Sequence, residues 1–140
     1  MMEIKKIDSS NLEILNTELD SLIDSFSFKN LKKLVEDDRS YFFIAYLNNL
    51  PIGYALAYKF PSLNFNGYLS YLYDIEVLES HRKKGIGREL ITNVLASLKS
   101  DGVTEVWLGT ATNNIPVQTL FQSTGAEKSE EVFHDYTYIL

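Results

Sequence analysis

The stretch from Tyr68 to Leu98 constrains the fold more than any other part of the chain. It carries an aromatic and β-branched run, Tyr68 to Leu78, into the basic turn Arg82-Lys83-Lys84-Gly85-Ile86-Gly87. Leu90, Ile91, Val94, Leu95 and Leu98 then follow at helical spacing. Residue type predicts a strand for the first part and the three- and four-residue spacing an amphipathic helix for the last. Asp101-Gly102 is a helix stop, and Val106 to Thr110 is predicted as the next strand. A strand–helix–strand connection implies two parallel strands joined by a right-handed crossover. Ligands at such sheets bind at the carboxyl ends of strands, where a helix begins, and the basic turn stands at one of those ends.

The remaining elements are read by the same rules. Ile4 and Ile7 mark an extended start, and Ser9-Ser10-Asn11 supplies N-cap residues for a helix. Leu12, Leu15, Leu19, Leu22 and Ile23 would share one face of that helix through about Asp24. Leu31, Leu34 and Val35 predict a shorter helix ending before Arg39. Tyr41 to Leu47 and Ile52 to Phe60, separated by Asn48-Asn49-Leu50-Pro51, predict a β-hairpin. Pro61 to Gly67 is a loop, as is Thr112 to Pro116. Val117 to Thr124 is a short helix ended by Gly125, and Val132-Phe133 with Tyr136 to Leu140 supply a final strand or two. Hairpins followed by a parallel crossover place the chain in the α+β class. Its 140 residues fit a single domain, 1–140.

Composition excludes several functions. The net charge of −6 and pI near 4.9 give a field that repels phosphate backbones, so no nucleic acid is expected as a partner. With no cysteine, thiol catalysis and thiolate metal sites are ruled out. His81 and His134 have no second ligand at metal spacing, so no metal is expected. Met1 to Lys6 leads straight into mixed polar sequence, and no apolar run approaches the roughly 20 residues of a membrane span. A cytoplasmic protein without membrane contact is the expectation.

In Arg82-x-x-Gly85-x-Gly87 the glycines fall where the chain must curl, leaving backbone N–H groups unobstructed before a helix N-terminus. Those amides and the positive end of the helix dipole make an anion site, to which Arg82, Lys83 and Lys84 add charge. Neither the Walker spacing nor the three-glycine dinucleotide fingerprint is present, which removes nucleoside triphosphates and NAD. The plainer alternative is a solvated loop with a glycine before a helix.

The segment Val77-Leu78-Glu79-Ser80-His81-Arg82-Lys83-Lys84-Gly85-Ile86-Gly87-Arg88-Glu89-Leu90 resembles the acetyl-CoA motif of the GNAT superfamily, and the element order resembles that family along almost the whole chain. The resemblance implies a GNAT fold: a central mixed β-sheet of six to seven strands flanked by about four helices. It implies acetyl-CoA as acetyl donor, with its pyrophosphate on the amides of Arg82, Lys83, Lys84, Gly85, Ile86, Gly87 and Arg88. The pantetheine arm would pair with the backbone of Ile75, Glu76 and Val77. Asn113 or Asn114 would contact the cofactor, and Thr112 to Gly125, including Phe121, would form a second cofactor-binding segment. GNAT relatives often dimerise, and the apolar run Tyr136 to Leu140 fits a homodimer.

Acetyl transfer needs a neutral amine, a polarised thioester carbonyl and a proton for the departing thiolate. Asp74 and Glu76, two apart on the strand before the turn, share a sheet face within an apolar and aromatic run, which makes them the candidate catalytic carboxylates. Asp74 is favoured for binding and deprotonating the substrate ammonium, and the N–H of Ile75 or Val77 for polarising the carbonyl. Many GNAT enzymes place a tyrosine as acid four residues before the glycine that ends the last helix. Phe121 stands there, and phenylalanine cannot donate a proton. Tyr41, Tyr46 and Tyr54 fall in strand patterns and are read as packing.

Two segments narrow the resemblance. Tyr71 to Val77 followed by Ser80-His81-Arg82, and Glu130-Glu131-Val132-Phe133-His134, resemble the type I aminoglycoside 3-N-acetyltransferases, whose acidic cleft binds a polycationic antibiotic. The resemblance implies substrate contacts from Asp74, Glu130 and Glu131, with Asp135 beside them, and direct transfer in a ternary complex. The chain departs from that pattern at Asn114-Ile115, where those enzymes carry acids. A polyamine, a small-metabolite amine or a protein amine remains an alternative acceptor, and a non-catalytic acyl-CoA-binding domain an alternative function.

Overall fold

The computed structural model describes residues 1–12, 19, 22–23, 27–64 and 66–140. The contacts divide it into two units, Met1–Gly109 and Thr110–Leu140. The first unit holds one five-stranded sheet in the order β1 (Met2–Lys6), β2 (Ser40–Leu47), β3 (Leu50–Pro61), β4 (Tyr68–Val77) and β5 (Val103–Trp107). Neighbouring strands are antiparallel except β4 and β5, which are parallel and joined through α2 (Ile86–Ser100). Helix α1 (Phe28–Val35) precedes β2.

Local chemistry explains these boundaries. Asn48 and Asn49 take φ of 49° and 66° and close the β2–β3 hairpin in two residues, since asparagine tolerates the left-handed region. Ser27 caps α1 by accepting the Asn30 N–H at 3.3 Å. At the end of α2, Gly102 takes φ of 89°, and its carbonyl accepts the Tyr68 N–H at 3.1 Å. The chain therefore enters β5 at Val103, three residues earlier than the predicted Val106, and leaves it at Trp107 rather than Thr110.

Each face of the sheet carries a core. Under α2 lie Leu90, Val94 and Leu98, all fully buried. Gly53 of β3 lets that helix approach: a Cβ there would stand 2.9 Å from the Glu76 carbonyl and 3.3 Å from Leu90 Cδ1. On the other face Ile7, Leu12, Leu19, Leu22, Leu31, Phe42, Ile44 and Tyr46 cluster, with Tyr54 and Leu56 packed against them. Burial of each such aliphatic side chain stabilises the fold by about 1.5–3 kcal/mol.

The second unit contains α3 (Ile115–Ser123), capped by the Asn114 side chain, which accepts the Val117 N–H at 3.3 Å. The helix starts at Ile115, two residues ahead of the predicted Val117, and Pro116 in its first turn has a fixed φ suited to that place.

The expected six to seven strands and about four helices are corrected to five strands and three α-helices among the described residues. The helix predicted over Ser9 to Asp24 falls mostly outside them. The strands predicted at Val132-Phe133 and Tyr136 to Leu140 do not form: Glu127 to Leu140 has no regular secondary structure. A strand is held by ladder bonds to a neighbour, and β-propensity without pairing does not make one. No described helix is long and apolar enough to cross a membrane.

Candidate functional site

The site begins with an irregularity in β4. Ala57 pairs with Leu72 but Leu56 pairs with Asp74, so Tyr73 is an extra, bulged residue. Side chains alternate along a strand, and one extra residue exchanges the faces of everything after it. Without the bulge, Asp74 and Glu76 would lie on the same face as Gly53 and Ala55, beneath α2. With it, they share the face of Tyr54 and Leu56, while Ile75 and Val77 pack toward α2.

The same strand has an open edge. Pairing with β5 stops at Tyr71 and Trp107, and among the described residues Leu72 to Val77 have no strand beside them on that side. The Leu78 N–H donates to the Ile52 carbonyl of β3 at 2.8 Å. Alternation then turns the N–H and C=O groups of Ile75 and Val77 to the open edge. Of the three residues expected to pair with the cofactor, Ile75 and Val77, also the candidates for carbonyl polarisation, thus face outward, while the same alternation turns the backbone of Glu76 toward β3.

Beyond Val77 the chain makes a 3₁₀ turn at Glu79–His81 and reaches the basic turn. Lys83 at φ 64° and Gly85 at φ 79° are both left-handed, an arrangement that curls successive amides toward one point. Gly85 is the N-cap of α2 and offers no side-chain cap. The amides of the first helical turn are therefore available to an anion, with the helix dipole behind them. Ile86 anchors the turn by burial, whereas Lys83 and Lys84 are exposed.

The Arg82 guanidinium folds back onto β4. Its Nε donates to the Val77 carbonyl at 2.9 Å, and its Nη2 donates to Glu76 Oε1 at 2.8 Å. Glu76 therefore meets the turn. Asp74 is engaged elsewhere: Tyr54 Oη donates to its Oδ2 at 2.6 Å. Tyr54, Asp74, Glu76 and Arg82 border one open cleft of about 570 Å³, walled on its apolar side by Leu22, Ile23 and Leu78.

The structure thus brings together Asp74, Ile75, Glu76, Val77 and the turn from Arg82 through Lys83, Lys84, Gly85, Ile86 and Gly87 to Arg88. Asn113, Asn114, Phe121, Glu130, Glu131 and Asp135 belong to the second unit. There Asn114 caps α3, and the Phe121 carbonyl accepts the Ala126 N–H at 3.0 Å. Glu130, Glu131 and Asp135 are exposed, the Glu131 N–H donating to Ser129 Oγ at 3.2 Å.

Two features escaped the sequence. Tyr54 packs against Phe42, as expected, but it also holds Asp74. That contact depends on the β3–β4 register and on the bulge, for which the uniform run Tyr71-Leu72-Tyr73 carries no signal.

A family model described as the acetyltransferase (GNAT) family matches residues 7–126. No curated protein matches the chain in sequence. Among solved structures, the aminoglycoside acetyltransferase meta-AAC0020 from an uncultured soil metagenomic sample, in complex with sisomicin, superimposes with a TM-score of 0.84 at 24% identity, covering 99% of this chain and 97% of that one. The aminoglycoside N-acetyltransferase AAC(6')-Iy in complex with CoA superimposes with a TM-score of 0.78 at 23% identity, covering 99% and 96%. The aminoglycoside acetyltransferase HMB0005, also from an uncultured soil metagenomic sample, gives 0.85 at 18% identity over 100% and 99%.

Proposed function

Because the chain belongs to the GNAT acetyltransferase family, we propose that it transfers the acetyl group of acetyl-CoA to a primary amine of an aminoglycoside. The observation that carries the reading is the arrangement at the end of β4. An uncapped, left-handed turn and an outward strand edge suit a pyrophosphate and a pantetheine arm, and the adjoining cleft holds the carboxylate of Asp74. Acetyl-CoA supplies the thioester carbonyl. The amides from Arg82 to Arg88 hold its pyrophosphate, the open edge at Ile75 and Val77 orients the arm, and one of those N–H groups polarises the carbonyl. Asp74 binds the ammonium and takes the proton that frees the nitrogen lone pair. The new N–C bond forms as the C–S bond breaks, directly and in a ternary complex.

Glu76, bound to Arg82, is assigned to the donor side as a brace for the turn. Asn113 or Asn114 and Phe121 are assigned to the acetyl donor, and Glu130, Glu131 and Asp135 to further ammonium groups of a polycation. The net charge of −6 favours such an acceptor. The 140 residues act as one cytoplasmic domain, and the exposed Tyr136, Tyr138, Ile139 and Leu140 support a homodimer, which sedimentation equilibrium tests.

The segments that resemble type I enzymes favour the 3-amine. The likeness of fold to AAC(6')-Iy favours a 6′-amine as the second reading, and product NMR distinguishes the two. The primary test is an amine panel with thiol detection, spanning aminoglycosides, polyamines and peptides. Turnover confined to aminoglycosides is expected. Turnover of peptides or polyamines with none of any aminoglycoside would end the acceptor assignment.

A further inference from the structure

The two carboxylates on β4 differ in what holds them. Glu76 is paired with a cation, Arg82. Asp74 receives a neutral phenol, Tyr54 Oη, at 2.6 Å, within the range of a charge-assisted O–H···O⁻ bond. A guanidinium offsets the charge of its partner. A phenol fixes a carboxylate and leaves its negative charge in place. We propose that Tyr54 is a positioning residue for the amine acceptor. It holds Oδ2 of Asp74 and so presents Oδ1, with the charge of the group intact, to the substrate ammonium. This rests on the reading that the chain acetylates a cationic amine.

The geometry supports the assignment from the backbone upward. Tyr54 lies directly opposite Glu76, and Leu56 opposite Asp74, so the phenol reaches its diagonal neighbour. Diagonal cross-strand partners are within range of an aromatic side chain. The bulge at Tyr73 creates this contact, because in regular pairing Asp74 would point to the opposite face. Tyr54 is itself held: its ring meets that of Phe42 at 5.9 Å between centroids, tilted by 53°, and packs against the apolar cluster of that face. The position of Oη is therefore set by packing. A carboxylate offers about four acceptor sites, and Tyr54 takes one, leaving the others for an ammonium with its three donors. Both groups border the 570 Å³ cleft.

The experiment is Tyr54→Phe, which keeps the ring and removes the hydroxyl, compared with wild type and Asp74→Asn. Sisomicin and spermine serve as probes in steady-state thiol release and in calorimetry. For the better amine, KM and Kd should rise about tenfold in Tyr54→Phe. The acetyl-CoA KM should stay within about twofold, and the thermal midpoint should not move. An amine KM and Kd equal to wild type would overturn the proposal while Asp74→Asn still lost activity. A parallel rise in both substrates' KM with a lowered midpoint would also overturn it, since that marks a structural role. If wild type neither binds nor acetylates either probe, the functional reading fails first and the proposal with it, a result visible before any variant is made.

Discussion

Replacing Glu76 with glutamine separates two roles by the size of the effect. A general base removed from acetyl transfer costs about 10²- to 10⁴-fold in rate. A brace costs what its ion pair contributes. The Glu76–Arg82 bridge is 2.8 Å long, and its side chains keep 45% and 54% of their exposure, which places it among surface pairs worth about 0.2–1 kcal/mol. One kcal/mol corresponds to about fivefold in an equilibrium constant. The variant should stay below that bound, because the glutamine oxygen still accepts from Nη2 and the bond from Nε to the Val77 carbonyl is untouched. Expected, then, is an acetyl-CoA KM raised by less than about fivefold with kcat within about twofold. The difference should shrink at high salt, where wild type loses the same attraction to screening. Thiol release titrated in acetyl-CoA at saturating amine, at low and high salt, measures this. A kcat lowered a hundredfold or more with unchanged acetyl-CoA KM would refute the brace and return Glu76 to the chemistry.

Gly85→Ala tests the turn: φ is 79° and an added Cβ meets nothing within 4 Å, so the cost is backbone strain alone, about 1 kcal/mol. The acetyl-CoA KM should rise several-fold with the amine KM unchanged, and an unaltered acetyl-CoA KM would detach the turn from the cofactor. Leu90→Ala removes a fully buried side chain beneath α2 and should destabilise by about 2–5 kcal/mol, seen as a lower urea midpoint at constant m. A loss under 1 kcal/mol would contradict a tightly packed contact at Gly53. Tyr41 is buried and donates to Asp101 at 2.6 Å; burial first, and the Asp101 carboxylate second, push its ionisation above the ordinary 10.0. A folded value above the unfolded one means that this stability is complete below about pH 10 and is lost as pH climbs toward the folded value. The thermal midpoint should therefore fall above pH 10, and fall less in Tyr41→Phe. Superimposable alkaline profiles would exclude Tyr41 as the source.

Helix α2 was legible because spacing is a direct record of burial: Leu90, Ile91, Val94 and Leu98 are all buried, and Leu95 half-buried at the edge of the stripe. The left-handed turn before α2 was legible because glycine has few other reasons to recur there. The displacement of β5 was not, since Val106 to Thr110 has the stronger composition while Val103 is held by the turn at Gly102 and its bond to Tyr68. Composition also favoured strands at Val132-Phe133 and Tyr136 to Leu140, but strand formation depends on a partner that composition does not supply. The site divides in the same manner. Asp74 and Glu76 stood out as charges in an apolar run, yet their partners, Tyr54 twenty residues upstream and Arg82 six residues downstream, follow from the bulge and from the path of the turn. Tertiary register decides such contacts, and local pattern is silent about them.

Phe121 in place of tyrosine removes one acid without breaking the proposed reaction, and a count of protons shows why. An acceptor ammonium carries three protons on nitrogen, and the amide product keeps one. Two must leave, while the departing thiolate needs only one. The balance closes if Asp74 takes the first and the thiolate receives the second from the nitrogen that has just been acylated. No side chain at position 121 is required for it. What the chemistry does require is that the nitrogen lone pair be directed at the carbonyl when the first proton leaves, and that demand falls on the orientation of Asp74. A carboxylate rotating freely on an exposed strand would hold a cation more loosely and leave it undirected. The bond from Tyr54 limits that rotation, and the bulge at Tyr73 makes the bond possible by placing both groups on one face. In the proposed reaction the departure at Phe121 therefore shifts the burden from a dedicated acid to the positioning of the base. Substitutions that loosen Asp74 should cost this enzyme more than restoring a tyrosine at position 121 would return.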